Sequence, residues 1–497
     1  MVPKERAGVV DATHRSIPLV FTWFAVFALC FQGIFYLFEY RNGDTLAPTY
    51  IKLQKDLVWA VVLAVVSYVG VVHARGIETL RRPYNLILIA FCIWIVAVKA
   101  HEAATYGTGN LLLLTLKNLV LYAAMVPLLS MLAPDVQNCL VRKMLVVFVT
   151  VAFVQAAFSA ALFILLPEYA FWKNDPYNGF DPFVGLFSNP NRFGLFMNMG
   201  AATLCAVLVT TSSWRALLAA TGLVALALSI FYSAALSQLI VYFGLLGYAT
   251  IVVAFSVRWR ALRLLAVMAA ASLAIGLVGL NIKSPLPDLT NTESELAWDI
   301  RNLASMAVHG RTIDGEPFRF TSDSFVNRIR EIQQLADSFG LGNAETRGRT
   351  KLRERDPKAP LEQRLFGRAD HLSPSSQSQF AYLYFRYGLV GLFLFVAVLA
   401  IPAFHSLREV VRRTPGPNRV TLLGYHLCLA AFTATFLGDN GLLDFPTNFL
   451  FFFVLFANVS LIATKEYCLS SRQSHTVDSE SNPGCPTPSL RTDLSSR

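Results

Sequence analysis

Residues 216–257 read ALLAATGLVALALSIFYSAALSQLIVYFGLLGYATIVVAFSV. No Asp, Glu, Lys, Arg or His interrupts them for about 40 residues, twice the ~20 that a helix needs to cross hydrocarbon. The stretch therefore holds two crossings back to back, with Ser233–Ser237 as the polar turn between them. Lipid offers a backbone N–H or C=O no hydrogen-bond partner, so both halves are helices.

The same reading extends in both directions. Apolar runs predict about twelve crossings: residues 17–38, 57–72, 86–98, 111–133, 144–166, 193–211, 216–232, 238–257, 262–282, 380–404, 420–438 and 449–464. The third is short enough to be re-entrant. The expected fold class is all-α: a polytopic membrane protein with one large loop between helices 9 and 10. Residues 1–282 carry helices 1–9, 283–379 the loop, 380–464 helices 10–12, and 465–497 a Ser/Pro-rich polar tail read as disordered.

Composition agrees. The chain has 497 residues, of which 55% are hydrophobic and only 15% charged. The net charge of +10 points to basic cytoplasmic loops rather than to nucleic acid, because no aromatic–basic platform is present. Seven cysteines show neither a disulfide framework nor a CxxC metal spacing. No glycine-rich nucleotide loop occurs, and no metal or cofactor is expected. Lys4 and Arg6 precede an apolar run longer than a signal-peptide core, which is read as a retained first helix.

Orientation follows from the Lys/Arg bias of alternate loops. Arg75, Arg81 and Arg82 share one side with Arg142 and Lys143, Arg215, Arg258, Arg260 and Arg263, and Arg408, Arg412, Arg413 and Arg419. Both termini then lie in the cytoplasm, and residues 283–379 lie outside, in the periplasm of a bacterium. Within that loop, residues 325–339 (FVNRIREIQQLADSF) have apolar positions at helical spacing, and residues 325–368 are basic.

That orientation collects polar residues at the outer face. Asn191 and Arg192 begin the sixth helix, and Ser237 and Gln238 begin the eighth. Lys117 in helix 4 and Arg386 in helix 10 both sit about 9–10 Å below the outer surface if their helices are straight. Gln379, Tyr382 and Arg386 fall at i, i+3 and i+7 on one helix face. A cation at that depth is costly in lipid; it either snorkels to the interface or faces protein or a water-filled cavity. Two at matched depth beneath a basic loop suit an anion, and the planar fork of arginine suits phosphate. His371 is the only histidine in residues 347–379 and lies just before the bilayer, where it is either a surface residue or a general base.

Two motifs carry a family resemblance. GLFSNPNRFGLFMNMG (residues 185–200) and DHLSPSSQSQFAYLYFRYGLVGLFLF (residues 370–395) resemble the signatures of bacterial O-antigen ligases and polymerases. The resemblance implies an inner-membrane glycosyltransferase that takes a glycan from undecaprenyl pyrophosphate at the periplasmic face and passes it to a polysaccharide acceptor. It implies arginines that hold the pyrophosphate, carried here onto Arg328, Arg330 and Arg386, and a histidine base, carried onto His371. A flippase and a chain-length regulator are expected partners. Ligases usually begin the eighth helix with Ser-Arg. Here Ser237-Gln238 lacks that arginine, and Arg192 or Lys117 is the expected replacement. FRYGLVG leans the reading towards a polymerase, with a ligase as the alternative. A transporter of an anionic solute is the alternative from another class, although neither paired broken helices nor inverted halves are evident.

Overall fold

The computed structural model describes residues 16–27, 29, 56–68, 79–107, 109–165, 187, 190–211, 214–233, 235–255, 258–279, 365–366, 378–412, 419–438, 442 and 447–461. These residues are almost wholly helical and contain no strand. Nine of the helices are long and apolar enough to cross a membrane. They are α3 (Pro83–Tyr106), α4 (Leu112–Leu129), α5 (Pro134–Leu165), α6 (Pro190–Thr210), α7 (Trp214–Tyr232), α8 (Leu236–Ala254), α9 (Arg258–Ala274), α10 (Gln379–Val411) and α11 (Arg419–Gly438). Three shorter apolar helices, α1 (Ser16–Phe27), α2 (Asp56–Tyr68) and α12 (Thr447–Leu461), coincide with the first, second and last apolar runs of the sequence. The chain is a multi-pass, all-α membrane protein.

Local chemistry sets the helix ends. α3, α5 and α6 each begin at a proline, whose missing N–H is one the first turn leaves unpaired anyway. The third apolar run, read as short, belongs to a longer helix than its apolar residues alone suggest. Its helix runs past Lys99 and Glu102 to Tyr106, 24 residues in all, enough for a full crossing. α7 and α8 flank the polar turn expected between them, ending at Tyr232 and starting at Leu236.

α6 and α12 are buried nearly all round, as a helix apolar on every face must be. In lipid, apolar burial does not drive helices together, so close backbone approach and interhelical hydrogen bonds must do so. A Cβ on Gly194 of α6 would stand 2.5 Å from Gln238 Cβ of α8, so glycine is what lets these two helices meet. Large apolar side chains such as Trp23, Ile93, Leu217, Phe255 and Phe393 point outwards, where lipid would cover them.

α3 and α10 run antiparallel, and α3 repairs α10 twice. Pro402 lies inside α10 and has no N–H for the Val398 carbonyl four residues before it. The Tyr84 hydroxyl of α3 donates to that carbonyl at 3.3 Å. Nearer its start, α10 breaks at Gly388, where φ is 69° and ψ is −172°, a conformation essentially confined to glycine. Trp94 Nε1 donates to the carbonyl of Tyr387, the residue before the break, at 3.0 Å. Helix 10 is thus not the continuous rod that the sequence suggested. Residues 379–387 form a short helical segment, and residues 389–411 form the long one.

One end of the bundle holds Glu102, Lys117, Asn191, Ser237 and Arg386. The other holds a second polar layer. There Arg263 of α9 donates to the Leu208 and Thr211 carbonyls at 3.2 and 2.6 Å, and Arg260 to Val209 at 3.0 Å. These arginines close the C-terminal end of α6, where free carbonyls concentrate negative charge. The Trp259 ring lies beneath Arg263 at 4.2 Å.

Candidate anion site around Arg386

Arg386 stands two residues before the break in α10, and its partner comes from α3. Arg386 Nη2 lies 2.5 Å from Glu102 Oε1, while Lys99 Nζ lies 2.7 Å from Glu102 Oε2. Lys99 and Glu102 are one helical turn apart, so both reach one face of α3. The Glu102 side chain is 1% exposed, Lys99 4% and Arg386 13%. Two cations share one buried carboxylate, so the formal charge of the triad is +1. A low-dielectric setting strengthens each of these attractions and favours an added anion. The break at Gly388 revises the depth inferred for Arg386: it closes a short segment held by α3 rather than lying partway down a straight rod.

Around the triad the same segment is pinned again. Gln379 is buried, its Oε1 accepts the Leu442 backbone N–H at 3.2 Å, and its Nε2 has no hydrogen-bond partner among the described residues. Ser378 donates to the Phe436 carbonyl at 3.4 Å. Phe366, five residues before His371 in the long loop, places its ring 5.7 Å from that of Trp94. The loop therefore touches α3 at the residue that holds the Tyr387 carbonyl.

Lys117 has a carboxylate of its own. It lies in a π-helical turn of α4 (Leu116–Val120), 2.6 Å from Asp56 Oδ2 at the start of α2. The Tyr122 hydroxyl donates to Asp56 Oδ1 at 3.1 Å. The equal depth of Lys117 and Arg386 inferred from straight helices thus hides a difference: each cation is seated against a different helix.

Asn191 and Arg192 are half-buried at the start of α6. Asn191 Oδ1 accepts a hydrogen bond from the Ser237 hydroxyl at 3.0 Å, which joins the starts of α6 and α8. Gln238 is sealed in: its Oε1 accepts from Asn198 Nδ2 at 3.1 Å and from the Thr435 hydroxyl at 3.3 Å. The position where a ligase carries arginine is here a buried amide that ties α6, α8 and α11. His371, Arg328, Arg330 and the expected loop helix at 325–339 lie outside the described residues, as does the tail at 465–497. Among the described residues, no group of three or more His, Cys, Asp or Glu side chains converges to hold a metal ion.

Lys99, Glu102 and Asp56 were missed in the sequence because they flank apolar runs that were ended at the first charge. The signal was there: a Lys and a Glu at i and i+3, with no helix breaker before Gly107.

No protein-family model matches the chain, and no curated protein sequence gives a significant match.

Proposed function

We propose that this chain is a glycosyltransferase of the bacterial inner membrane that takes an oligosaccharide from undecaprenyl pyrophosphate at the periplasmic face, with polymerisation of repeat units as its reaction. Behind the proposal stands the resemblance of its two motifs to O-antigen ligases and polymerases. The observation that carries it is the seat of Arg386: the arginine of FRYGLVG ends a broken helix beside a second buried cation, with one carboxylate between them. Such an arrangement suits a doubly charged leaving group.

In this reading twelve helices cross the membrane, both termini are cytoplasmic, and residues 283–379 form the periplasmic loop. The acceptor hydroxyl oxygen attacks the anomeric carbon, and the bond from that carbon to the pyrophosphate oxygen breaks. The pyrophosphate keeps the electron pair, and its growing charge is met by Arg386 and the loop arginines Arg328 and Arg330. His371 takes the hydroxyl proton, a contribution worth roughly 10²–10⁴ in rate. The contact of Phe366 with Trp94 supports a loop that folds back towards this site.

The test is the surface-glycan pattern of a deletion strain. A single repeat unit on the lipid anchor supports the polymerase; long chains stranded on the carrier mean a ligase, and an unaltered pattern removes both. Reporter fusions at Arg347 and Arg413 test the topology, with an external signal expected at Arg347 and a cytoplasmic one at Arg413.

A further inference from the structure

Glu102 holds two cations, one on each carboxylate oxygen. A buried carboxylate with a single partner cannot release it without leaving an uncompensated charge, which is strongly unfavourable. Glu102 can release one and keep the other. Of its two partners, Lys99 is the deeper at 4% exposed, and Arg386 at 13% is the one nearer solvent. Arg386 also belongs to a different helix from the carboxylate, whereas Lys99 is tied to Glu102 within one turn of α3.

We infer that Glu102 is a built-in competitor for the phosphate oxygens at Arg386: an incoming pyrophosphate displaces the carboxylate from the guanidinium, and Lys99 keeps Glu102 neutralised in its absence. The inference rests on the proposal that Arg386 meets a lipid-linked pyrophosphate. It assigns roles to two residues of α3 that lie outside both motifs. The exchange leaves no orphaned charge: before binding, Glu102 bridges both cations; after it, Lys99–Glu102 and Arg386–phosphate are separate pairs. Lys99 thereby sets how firmly Glu102 competes. With Lys99 gone, Arg386 becomes the remaining cation of the triad, and Glu102 holds it harder.

The two α3 residues should therefore shift anion binding in opposite directions. The experiment titrates inorganic pyrophosphate into the full-length protein in detergent, by calorimetry, with phosphatidylglycerol in mixed micelles as a second arm. Lys99→Gln should weaken pyrophosphate binding roughly tenfold, and Glu102→Gln should tighten it by a similar factor, the scale of one charge-assisted contact. Lys99→Gln/Glu102→Gln removes both charges together and should bind at least as tightly as wild type, which covers the case in which a single variant fails to fold. A purely structural role predicts weaker binding in all three, and that result would overturn the inference. So would variants that change phosphatidylglycerol binding alone, which would make this a phospholipid headgroup site. If wild type neither binds pyrophosphate nor transfers glycan from a purified lipid-linked donor, the proposed function fails instead; if wild type and Arg386→Ala transfer equally well, the inference alone fails.

Discussion

Trp94 and Tyr387 meet where α10 is broken: the indole N–H donates to the Tyr387 carbonyl at 3.0 Å, immediately before Gly388. This contact gives the Arg-Tyr-Gly run a physical meaning. The arginine reaches Glu102, the tyrosine is buried, and the glycine makes the turn that no other residue accepts without strain.

Gly388→Ala should therefore destabilise the protein although the change adds a single methyl group. A side chain held at φ 69° and ψ −172° costs roughly 1–3 kcal/mol, or the helix straightens and Arg386 leaves Glu102. Thermal unfolding in detergent should show the loss. Unchanged stability together with unchanged transfer would mean that the break has no role in placing Arg386.

The long apolar helices themselves were legible because such helices announce themselves by length and apolarity, and the charge-free run from 216 to 257 allowed little else. What the sequence concealed was the pairing. Arg386 stood out as a cation in an apolar run, but its partner Glu102 lies 284 residues away, on a helix that a hydropathy reading ended at Val98. The break at Gly388 was equally hidden, since glycine is common in membrane helices and only its φ/ψ separates a packing glycine from a hinge. Gly194 is the contrast: it sits in regular helix and serves close packing against Gln238.

The polar layer at the opposite end yields a second prediction. His426 on α11 stands between the Tyr248 hydroxyl at 2.7 Å and the Ser406 hydroxyl at 2.8 Å, and Ser406 also donates to the Ala403 carbonyl at 3.1 Å. With the Ser406 proton committed to Ala403, Nδ1–H donates to Ser406 and Nε2 accepts from Tyr248. Ser406→Ala leaves a buried N–H without its acceptor and should cost about 1–3 kcal/mol. Glycan transfer by the folded variant should be unchanged, because this network ties α8, α10 and α11 at the end remote from Arg386. A selective loss of transfer at full stability would give the network a part in the chemistry.

Lys117 and Asp56 provide a third. Asp56 is 7% exposed and Lys117 37%, so the carboxylate depends on its lysine more than the lysine depends on it. Lys117→Met should destabilise the protein, and Lys117→Met/Asp56→Asn should recover much of the loss, with a coupling of roughly 0.5–3 kcal/mol in a double-mutant cycle. The Tyr122 hydroxyl, which donates to the Asp56 carboxylate, can donate equally to the asparagine carbonyl. Additive effects would show that the pair does not hold α2 to α4. In that case Lys117 would again be a candidate for the phosphate.

Arg386 carries the most direct test of the proposed chemistry. If its role is only to neutralise Glu102, Arg386→Lys should be nearly silent, since lysine carries the same charge and can reach a carboxylate. If it grips pyrophosphate, lysine keeps the charge but loses the planar fork that bonds two oxygens at once. Losing one charge-assisted bond of about 1.5–3 kcal/mol corresponds to transfer slowed roughly 10- to 150-fold. Arg386→Ala should be worse, because the developing phosphate charge then loses both the charge and the fork at this position. The measurement is transfer from a purified lipid-linked donor. Stability is followed in parallel, because either change also alters what Glu102 holds; Lys99 remains beside Glu102 in both variants and limits that damage. Wild-type rates in a folded Arg386→Ala protein would take Arg386 out of the site and leave the pyrophosphate to Arg192 and the arginines of the loop.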